Sequence, residues 1–339
     1  MNKKLLNILK FLFFLGLGAV LIWLALKDKS PEELHRIGAS IKNANFFWII
    51  LSLVISGFSH FFRSLRWRLM IEPLGFKTGV LNTFFAVMIG YLTNLAILRA
   101  GEVARCGMLT RYEKVPFVEG FGTVIAERAI DMICLIVIFL SILGLEFEKI
   151  SGIAHTIVLD PVSAKMHLLL QKKSLLLVLG MIAFIFLAAL WYFRAKIRTV
   201  LSGKVGGFVK GLWDGLLSTR KVSKPSLFFI YTALIWLMYI LQADVCFFAF
   251  PETRNIPFVA AMVIVVFGSL GVIFVPGGTG AYQIIVVQIL ASLYLIPDEI
   301  GNAYAWAVWV AQIAMILFLG FMSLVLLPLF NKEAVNSGK

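Results

Sequence analysis

Three charged residues at a spacing of three form the first group whose types and positions could do chemistry. They are Arg99, Glu102 and Arg105, and Gly101 lies between them. A helix that begins here places all three on one face, and its first amide groups add positive potential at the same point. Such a group predicts binding of an anion such as phosphate, with the carboxylate paired to the arginines or to an amine. The alternative is that residues 99–111 form an ordinary cytoplasmic loop.

A glycine-rich turn forms the second group. Its residues are Pro276, Gly277, Gly278 and Gly280, and Gln283 follows one helical turn later. Three glycines in four positions break a helix and allow backbone amides to approach an anion closely. A turn between two ordinary spans would have the same sequence, so this prediction depends on the pairing of Gly280 with Gly101 in the repeat described below.

Two further groups combine charges on single helices. Glu127, Arg128 and Asp131 have the spacing of an internal ion pair, with a role in a cavity as the alternative to a purely structural one. A basic and aromatic cluster ends an earlier apolar run and consists of Arg63, Arg66 and Trp67. This composition is typical of a membrane interface, where arginine binds lipid phosphate and tryptophan lies among the headgroups. We expect an anchor of that kind.

No recognised motif for a metal, a cofactor or a catalytic nucleophile accompanies these groups. The four histidines and three cysteines lie far apart, and the sequence contains no HExxH, CxxC, GxSxG, GxGxxG or P-loop pattern. Glu102 with Glu127 or Asp131 could provide two carboxylates for acid–base catalysis. Without a nucleophile or metal motif beside them, the sequence favours a protein that is not an enzyme and needs no cofactor.

The composition places all these groups in a membrane. Of 339 residues, 60% are apolar and 14% are charged, whereas soluble domains contain about 25% charged residues. Several apolar runs approach or exceed the roughly 20 residues that cross about 30 Å of hydrocarbon as a helix. The sequence therefore predicts an all-α polytopic membrane protein in which residues 1–339 form a single membrane domain.

The basic residues predict the topology. The connector 194–224 carries eight Lys or Arg residues and one acidic residue, so it is expected in the cytoplasm. Uninterrupted spans would place the Arg63 cluster outside, but this conflict disappears if 79–114 and 258–296 are re-entrant hairpins. The prediction is six full spans and two hairpins in the plasma membrane, with both termini cytoplasmic. Basic cytoplasmic loops then explain the net charge of +13 without nucleic acid.

One offset of 179 residues superimposes most of the first half, 1–150, on the second half, 175–330. Inverted repeats with broken helices that meet near the midplane are typical of secondary transporters. Chance alignment of apolar runs is the alternative. The connector 194–224 has apolar residues near the helical period, which predicts an interfacial amphipathic helix attracted to anionic lipid.

Four motifs, in order along nearly the whole chain, resemble the membrane region of lysylphosphatidylglycerol synthases, a flippase-like family that also occurs as stand-alone membrane proteins. They are Arg-x-x-Arg-Trp at Arg63, Gly-Glu-x-x-Arg at Gly101, Glu-Arg-x-x-Asp at Glu127 and Pro-Gly-Gly-x-Gly at Pro276. The resemblance implies movement of a lipid, often an aminoacylated or otherwise modified phospholipid, between leaflets.

The chain departs from the family pattern at two positions. The family tends to have proline where this chain has Ile97, and an acid where it has Gln283. Loss of that acid removes a partner for a cationic headgroup, so a lysyl-lipid cargo is not assumed. The chain ends at Lys339 soon after its last predicted span, without the aminoacyl-transfer domain of the synthases. Synthase activity is therefore not expected.

The main hypothesis is a lipid flippase-like transporter whose partners are membrane lipids. In this hypothesis Arg99 and Arg105 contact phosphate, and the glycine-rich turn supplies amide donors. One alternative is a membrane-embedded transferase for a lipid or lipid-linked sugar, with Glu102, Glu127 or Asp131 as base. Another is a partner subunit that supports a separately encoded lipid-modifying enzyme or glycosyltransferase.

Overall fold

The computed structural model describes residues 30–97, 99–146, 221–274 and 276–331, together with positions 213, 215 and 217. In this part of the chain every regular element is helical, and the predicted all-α class is confirmed. The α-helices are α1 (Pro31–Lys42), α2 (Phe46–Ile71), α3 (Val80–Ala96), α4 (Ala100–Glu113), α5 (Phe117–Leu145), α6 (Pro225–Phe247), α7 (Phe258–Phe274), α8 (Ala281–Tyr294) and α9 (Asp298–Phe330).

Four of these helices are long and apolar enough to cross a membrane. They are α2 with the 3-10 turn that follows it, α5, α6 and α9, of 23 to 33 residues each. Ile133 and Leu140 of α5 and Phe229 of α6 are more than half exposed, as a surface in contact with lipid requires. The predicted spans 5–26 and 175–193, and most of the connector 194–224, lie outside the described residues. The total of six spans therefore stays a prediction.

Helices α3 and α4 form a tight hairpin whose two open ends lie together. The Gly79 amide and the Asn82 side chain both donate to the Glu113 carboxylate, at 2.9 and 2.6 Å. At the tip, the Gly101 amide donates to Asn94 Oδ1 at 2.7 Å. With 17 and 14 residues, the two helices are about 25 and 21 Å long, shorter than the hydrocarbon core. The chain enters and leaves this hairpin at one end, and the alternative of a simple loop over residues 99–111 is wrong.

Helices α7 and α8 form a second hairpin around the glycine-rich turn. Gly277, Gly278 and Gly280 have φ angles of 63°, 70° and 77°, a conformation that glycine adopts without steric cost. Near this turn the two helices touch, because a Cβ added to Gly271 would lie 2.9 Å from the Tyr282 amide nitrogen. The predicted break in the helix at this turn is confirmed.

The second set of helices repeats the order of the first. Helices α6, α7, α8 and α9 begin 179, 178, 181 and 181 residues after α2, α3, α4 and α5. Helices α2 and α6 pack against each other, with Trp48 on Phe248 at one end and Phe62 on Tyr231 towards the other, at ring-centroid distances of 5.1 and 6.1 Å. Helices α2 and α6 therefore run in opposite directions, which is the relation that an inverted repeat requires of this pair.

Candidate functional site

A buried network of ion pairs joins α2, α4 and α5. Arg63 and Arg66 donate to Asp131 at 2.8 and 2.7 Å, and Arg105 donates to Glu127 at 3.0 Å. Arg63 also donates to Glu127. Charges removed from water are tolerated only when they are paired and hydrogen-bonded in this way. The network therefore fixes three helices relative to one another.

Helical spacing explains how these side chains meet. Arg63 and Arg66 are one turn apart on α2, and Glu127 and Asp131 are one turn apart on α5, so each pair occupies one face of its helix. Helix α4 adds Arg105 from its second turn. Two arginines of α2 thus meet two carboxylates of α5, and Arg105 of α4 joins the first hairpin to these carboxylates.

The expected lipid-interface anchor at Arg63, Arg66 and Trp67 is wrong. All three residues are buried, with relative exposures of 3%, 0% and 0%. Trp67 Nε1 donates to Thr123 Oγ1 at 2.8 Å, and the Arg105 guanidinium lies 4.6 Å from the Trp67 ring centroid, within the range of a cation–π contact. The arginines face inward because α5 supplies the carboxylates that neutralise them.

A cavity of about 700 Å³ lies beside the network and between the two hairpins. Its charged wall is formed by Arg63, Arg99, Glu102, Arg128 and Asp131. The second hairpin contributes Gly277 from its turn, Tyr282 from α8 and mainly apolar residues from α7, and α9 also contributes mainly apolar residues. The volume is in the usual range for small-molecule sites, roughly 300 to 1,000 Å³, and both hairpin tips line the same space.

Positive charge exceeds negative charge around this cavity. The described residues that line it or form the adjoining network include five arginines and three carboxylates, namely Arg63, Arg66, Arg99, Arg105, Arg128, Glu102, Glu127 and Asp131. The resulting surplus is two positive charges. Electrostatic attraction is stronger where water is partly excluded, so the site favours an anion.

Arg128 and Arg99 are the least committed cations of the site. The Arg128 side chain is 46% exposed, and its closest oxygens on Glu102, Asp131 and Glu127 lie 3.6, 3.9 and 4.0 Å away. These distances exceed a normal hydrogen bond. Arg99 is exposed at the start of α4 and forms no ion pair with other described residues. Both guanidinium groups are available to a ligand.

The glycine-rich turn lies against the first hairpin, because a Cβ added to Gly277 would lie 3.3 Å from Leu95 Cδ2. Gly277 lines the cavity, and its carbonyl oxygen accepts a hydrogen bond from Trp309 Nε1 at 2.8 Å. Gly278 is buried, and Gly280 immediately precedes α8. The side chain of Pro276 is outside the described part of the structure. The supply of amide donors by this turn stays a prediction.

Gln283 and Gly101 lie next to the cavity and not on its wall. Gln283 is 3% exposed, and its side-chain amide has no hydrogen-bond partner among the described residues. Its neighbour Tyr282 is the residue that lines the cavity. Gly101 packs on α3, where an added Cβ would lie only 2.0 Å from the Gly90 carbonyl oxygen. Close helix packing therefore accounts for glycine at position 101.

Uncharged polar residues with larger side chains, which the sequence did not single out, also line the cavity. They are His60, Tyr91, Asn94, Tyr239, Gln242 and Gln312. Polar residues isolated within apolar helices are the signal that could have revealed them, because such residues are costly in a membrane unless they face a polar space.

The helices and the site define a multi-pass membrane protein with a charged cavity between two helical hairpins. Residues 7–320 match the family described as the lysylphosphatidylglycerol synthase TM region. The chain belongs to this family, and the resemblance noted in the sequence is confirmed. The family match covers the membrane region.

Among curated proteins, the chain is similar to a UPF0104 membrane protein of Methanocaldococcus jannaschii. The two are 26% identical over 146 residues, a match that covers 42% of this chain and 40% of the relative. The chain thus spans less than half the length of this curated relative. No solved structure matches the chain.

Proposed function

We propose that this protein moves a phospholipid or a modified lipid between the leaflets of the plasma membrane. The observation that carries the proposal is the positive surplus around a cavity enclosed by membrane-spanning helices. A lipid headgroup crosses hydrocarbon slowly because moving polar and charged groups out of water is costly. A polar cavity reduces that cost, while the acyl chains remain in lipid.

The roles of the charged residues follow from how firmly each is paired. Arg99 and Arg128 bind the lipid phosphate, because their guanidinium groups are exposed and weakly paired. Glu102 lies 3.6 Å from Arg128, and its carboxylate attracts that arginine before a lipid binds. When a lipid is bound, Glu102 accepts a hydrogen bond from the headgroup. Movement is passive or coupled to an ion gradient, since the sequence contains no ATP-binding motif.

A lipid or sugar transferase is the less favoured candidate. Glu127 and Asp131 already accept hydrogen bonds from buried arginines, which makes them poor bases. Glu102 would have to act alone, without a nucleophile or metal motif in the sequence. We therefore propose transport without catalysis, and support of a separately encoded enzyme is the interpretation to adopt if no lipid moves.

The test is translocation of fluorescent phospholipids in proteoliposomes containing the full chain. We expect wild-type protein to exceed empty vesicles, and Glu102→Ala to lose roughly tenfold in rate, because hydrogen bonds to charged groups contribute about 1.5 to 3 kcal/mol. The matched control is Glu299→Ala, a carboxylate that pairs with Arg36 on the exposed surface away from the cavity. Rates equal to those of empty vesicles, with reconstitution verified, would contradict the proposal.

A further inference from the structure

The cavity combines a charged wall with a set of uncharged hydrogen-bonding groups. His60, Tyr91 and Asn94 come from the first half of the chain, and Tyr239, Gln242 and Gln312 come from the second half. Amides, hydroxyls and a neutral imidazole can donate and accept hydrogen bonds without carrying charge. The cavity therefore has hydrogen-bonding groups for parts of a ligand other than its phosphate.

His60 is the residue that most directly indicates a polar group on the ligand. It is 1% exposed and lines the cavity, yet neither ring nitrogen has a hydrogen-bond partner in the described part of the chain. Its ring lies against Tyr91, with a centroid distance of 4.4 Å. Buried polar groups are nearly always hydrogen-bonded. A polar ligand in the cavity would supply the partner.

The charged residues argue against an amine as that ligand group. Both oxygens of Asp131 already accept hydrogen bonds from Arg63 and Arg66. Glu102 has an oxygen without a hydrogen-bond partner in the described residues, but Arg128 lies 3.6 Å from its other oxygen. An ammonium group would meet the positive surplus of the site, whereas a hydroxyl would not be repelled.

We infer that the cavity selects anionic phospholipids whose headgroups carry uncharged hydroxyl groups, as glycerol and sugar alcohols do. Arg99 and Arg128 bind the phosphate, and His60 exchanges hydrogen bonds with a headgroup hydroxyl. The inference rests on the proposed function for the location of the lipid, but it concerns selection of the headgroup and not its movement.

Binding is tested separately from movement. Short-chain phosphatidylglycerol, phosphatidylinositol, phosphatidylmethanol and phosphatidylethanolamine are added to the purified full chain in detergent, and thermal stabilisation gives their relative affinities. We expect the two hydroxyl-bearing lipids to bind more tightly than phosphatidylmethanol, which has the same phosphodiester charge but no headgroup hydroxyl, and phosphatidylethanolamine to bind least. The same four lipids, with fluorescent acyl chains, are then assayed for translocation.

Two His60 variants test the residue. His60→Leu should lower the affinity for phosphatidylglycerol about tenfold and leave the affinity for phosphatidylmethanol unchanged, whereas His60→Gln should retain part of the preference. His35→Leu, on the exposed surface of α1 away from the cavity, is the matched control. If His60→Leu does not fold, the double variant His60→Gln/Tyr91→Phe takes its place. An unaltered headgroup preference in this double variant overturns the role of His60 and Tyr91 in selection.

The outcomes separate the two proposals. Equal binding of phosphatidylmethanol and phosphatidylglycerol, or tightest binding of phosphatidylethanolamine, overturns the hydroxyl selection even if lipids are translocated. Selective binding of hydroxyl-bearing lipids without any translocation supports the selection and overturns the proposed transport.

Discussion

Asp131 is the residue through which α2 and α5 are most firmly joined. Its two oxygens accept hydrogen bonds from two different arginines of α2, at 2.8 and 2.7 Å. Removing one partner from a buried charge pair leaves the other charge without compensation, which costs more than the pair itself contributes. The network therefore matters for folding as well as for the shape of the cavity wall.

Replacing Asp131 by asparagine should destabilise the protein strongly. Arg63 and Arg66 would share one neutral amide oxygen in place of a carboxylate, and we expect a loss of about 3 to 5 kcal/mol. Thermal unfolding in detergent measures the loss. Glu299→Gln is the control, because its pair with Arg36 is exposed and such pairs contribute about 0 to 1 kcal/mol. Equal unfolding temperatures for the two variants would show that the network is not stabilising.

Replacing Arg128 should impair transport and leave stability nearly unchanged, whereas replacing Asp131 should mainly lower stability. Its guanidinium lies 3.6 to 4.0 Å from its carboxylate neighbours and is half-exposed, so Arg128→Gln should change stability by less than about 1 kcal/mol. Lipid translocation should fall at least tenfold, because a ligand phosphate loses a charged donor. Arg105→Gln, which breaks a buried 3.0 Å pair with Glu127, should instead lower the unfolding temperature. Normal transport by Arg128→Gln would remove it from the binding site.

The sequence could identify most charged residues of the site but not their partners. The spacing of Glu127 and Asp131 shows that they share a helix face, whereas nothing local to Arg63 or Arg66 indicates that this face belongs to α5. Arginines beside tryptophan are typical of both a lipid interface and a buried network. Only the packing of α2 on α5, with Trp67 donating to Thr123, distinguishes the two.

At the scale of elements, the first hairpin depends on close contact between its two helices. Gly90 of α3 and Gly101 of α4 bring the backbones together, and the Gly101 amide donates a hydrogen bond to Asn94 Oδ1 at 2.7 Å. Small residues allow such approach between helices in a membrane. The contact holds Arg99 and Glu102 next to the cavity.

Gly101→Ala should open or unfold this hairpin. The new Cβ would lie 2.0 Å from the Gly90 carbonyl oxygen, a distance that only backbone movement can relieve, and overpacking typically costs about 1 to 3 kcal/mol. Gly107→Ala is the matched control on the same helix, because no atom lies within 4 Å of a Cβ at that position. We expect a lower unfolding temperature and lower transport for Gly101→Ala alone. Equal stability of the two variants would contradict the close packing.

The charge pattern located both hairpins because a topological conflict can be detected without knowledge of packing. The side on which basic residues should lie predicts hairpins at 79–114 and 258–296, and the structure has helical pairs at both places. The sequence does not predict which side chains of these helices face the cavity. Gln283 was expected at the binding site, but its helix directs Tyr282 to the cavity instead.

At the scale of the whole molecule, the fold is repeated but the charges are not. Arg63, Glu102 and Asp131 occupy the same places from their helix starts as Gln242, Gln283 and Gln312. Three charged positions of the first half thus correspond to three glutamines in the second half. The backbone symmetry forms a cavity between equivalent hairpins, and the asymmetric side chains give it one charged wall and one neutral wall.

The inverted arrangement predicts which loops lie on the same side of the membrane. Lys77 and Lys114 are exposed at the open end of the first hairpin, and we expect both on the cytoplasmic side. Arg254 follows the end of α6, which lies beside the start of α2 because the Asn45 amide donates to the Ala249 carbonyl at 2.9 Å. Arg254 should therefore lie on the opposite side.

Single cysteines at positions 77, 114 and 254, in a chain without its native cysteines, test this arrangement with an impermeant thiol reagent. In inverted vesicles, Lys77→Cys and Lys114→Cys should react and Arg254→Cys should not, and right-side-out vesicles should give the reverse. Solubilised protein, in which all three must react, controls for local access. Labelling of Lys77→Cys and Lys114→Cys from opposite sides would mean that the chain crosses the membrane between them, which a hairpin with both ends held at Glu113 does not allow.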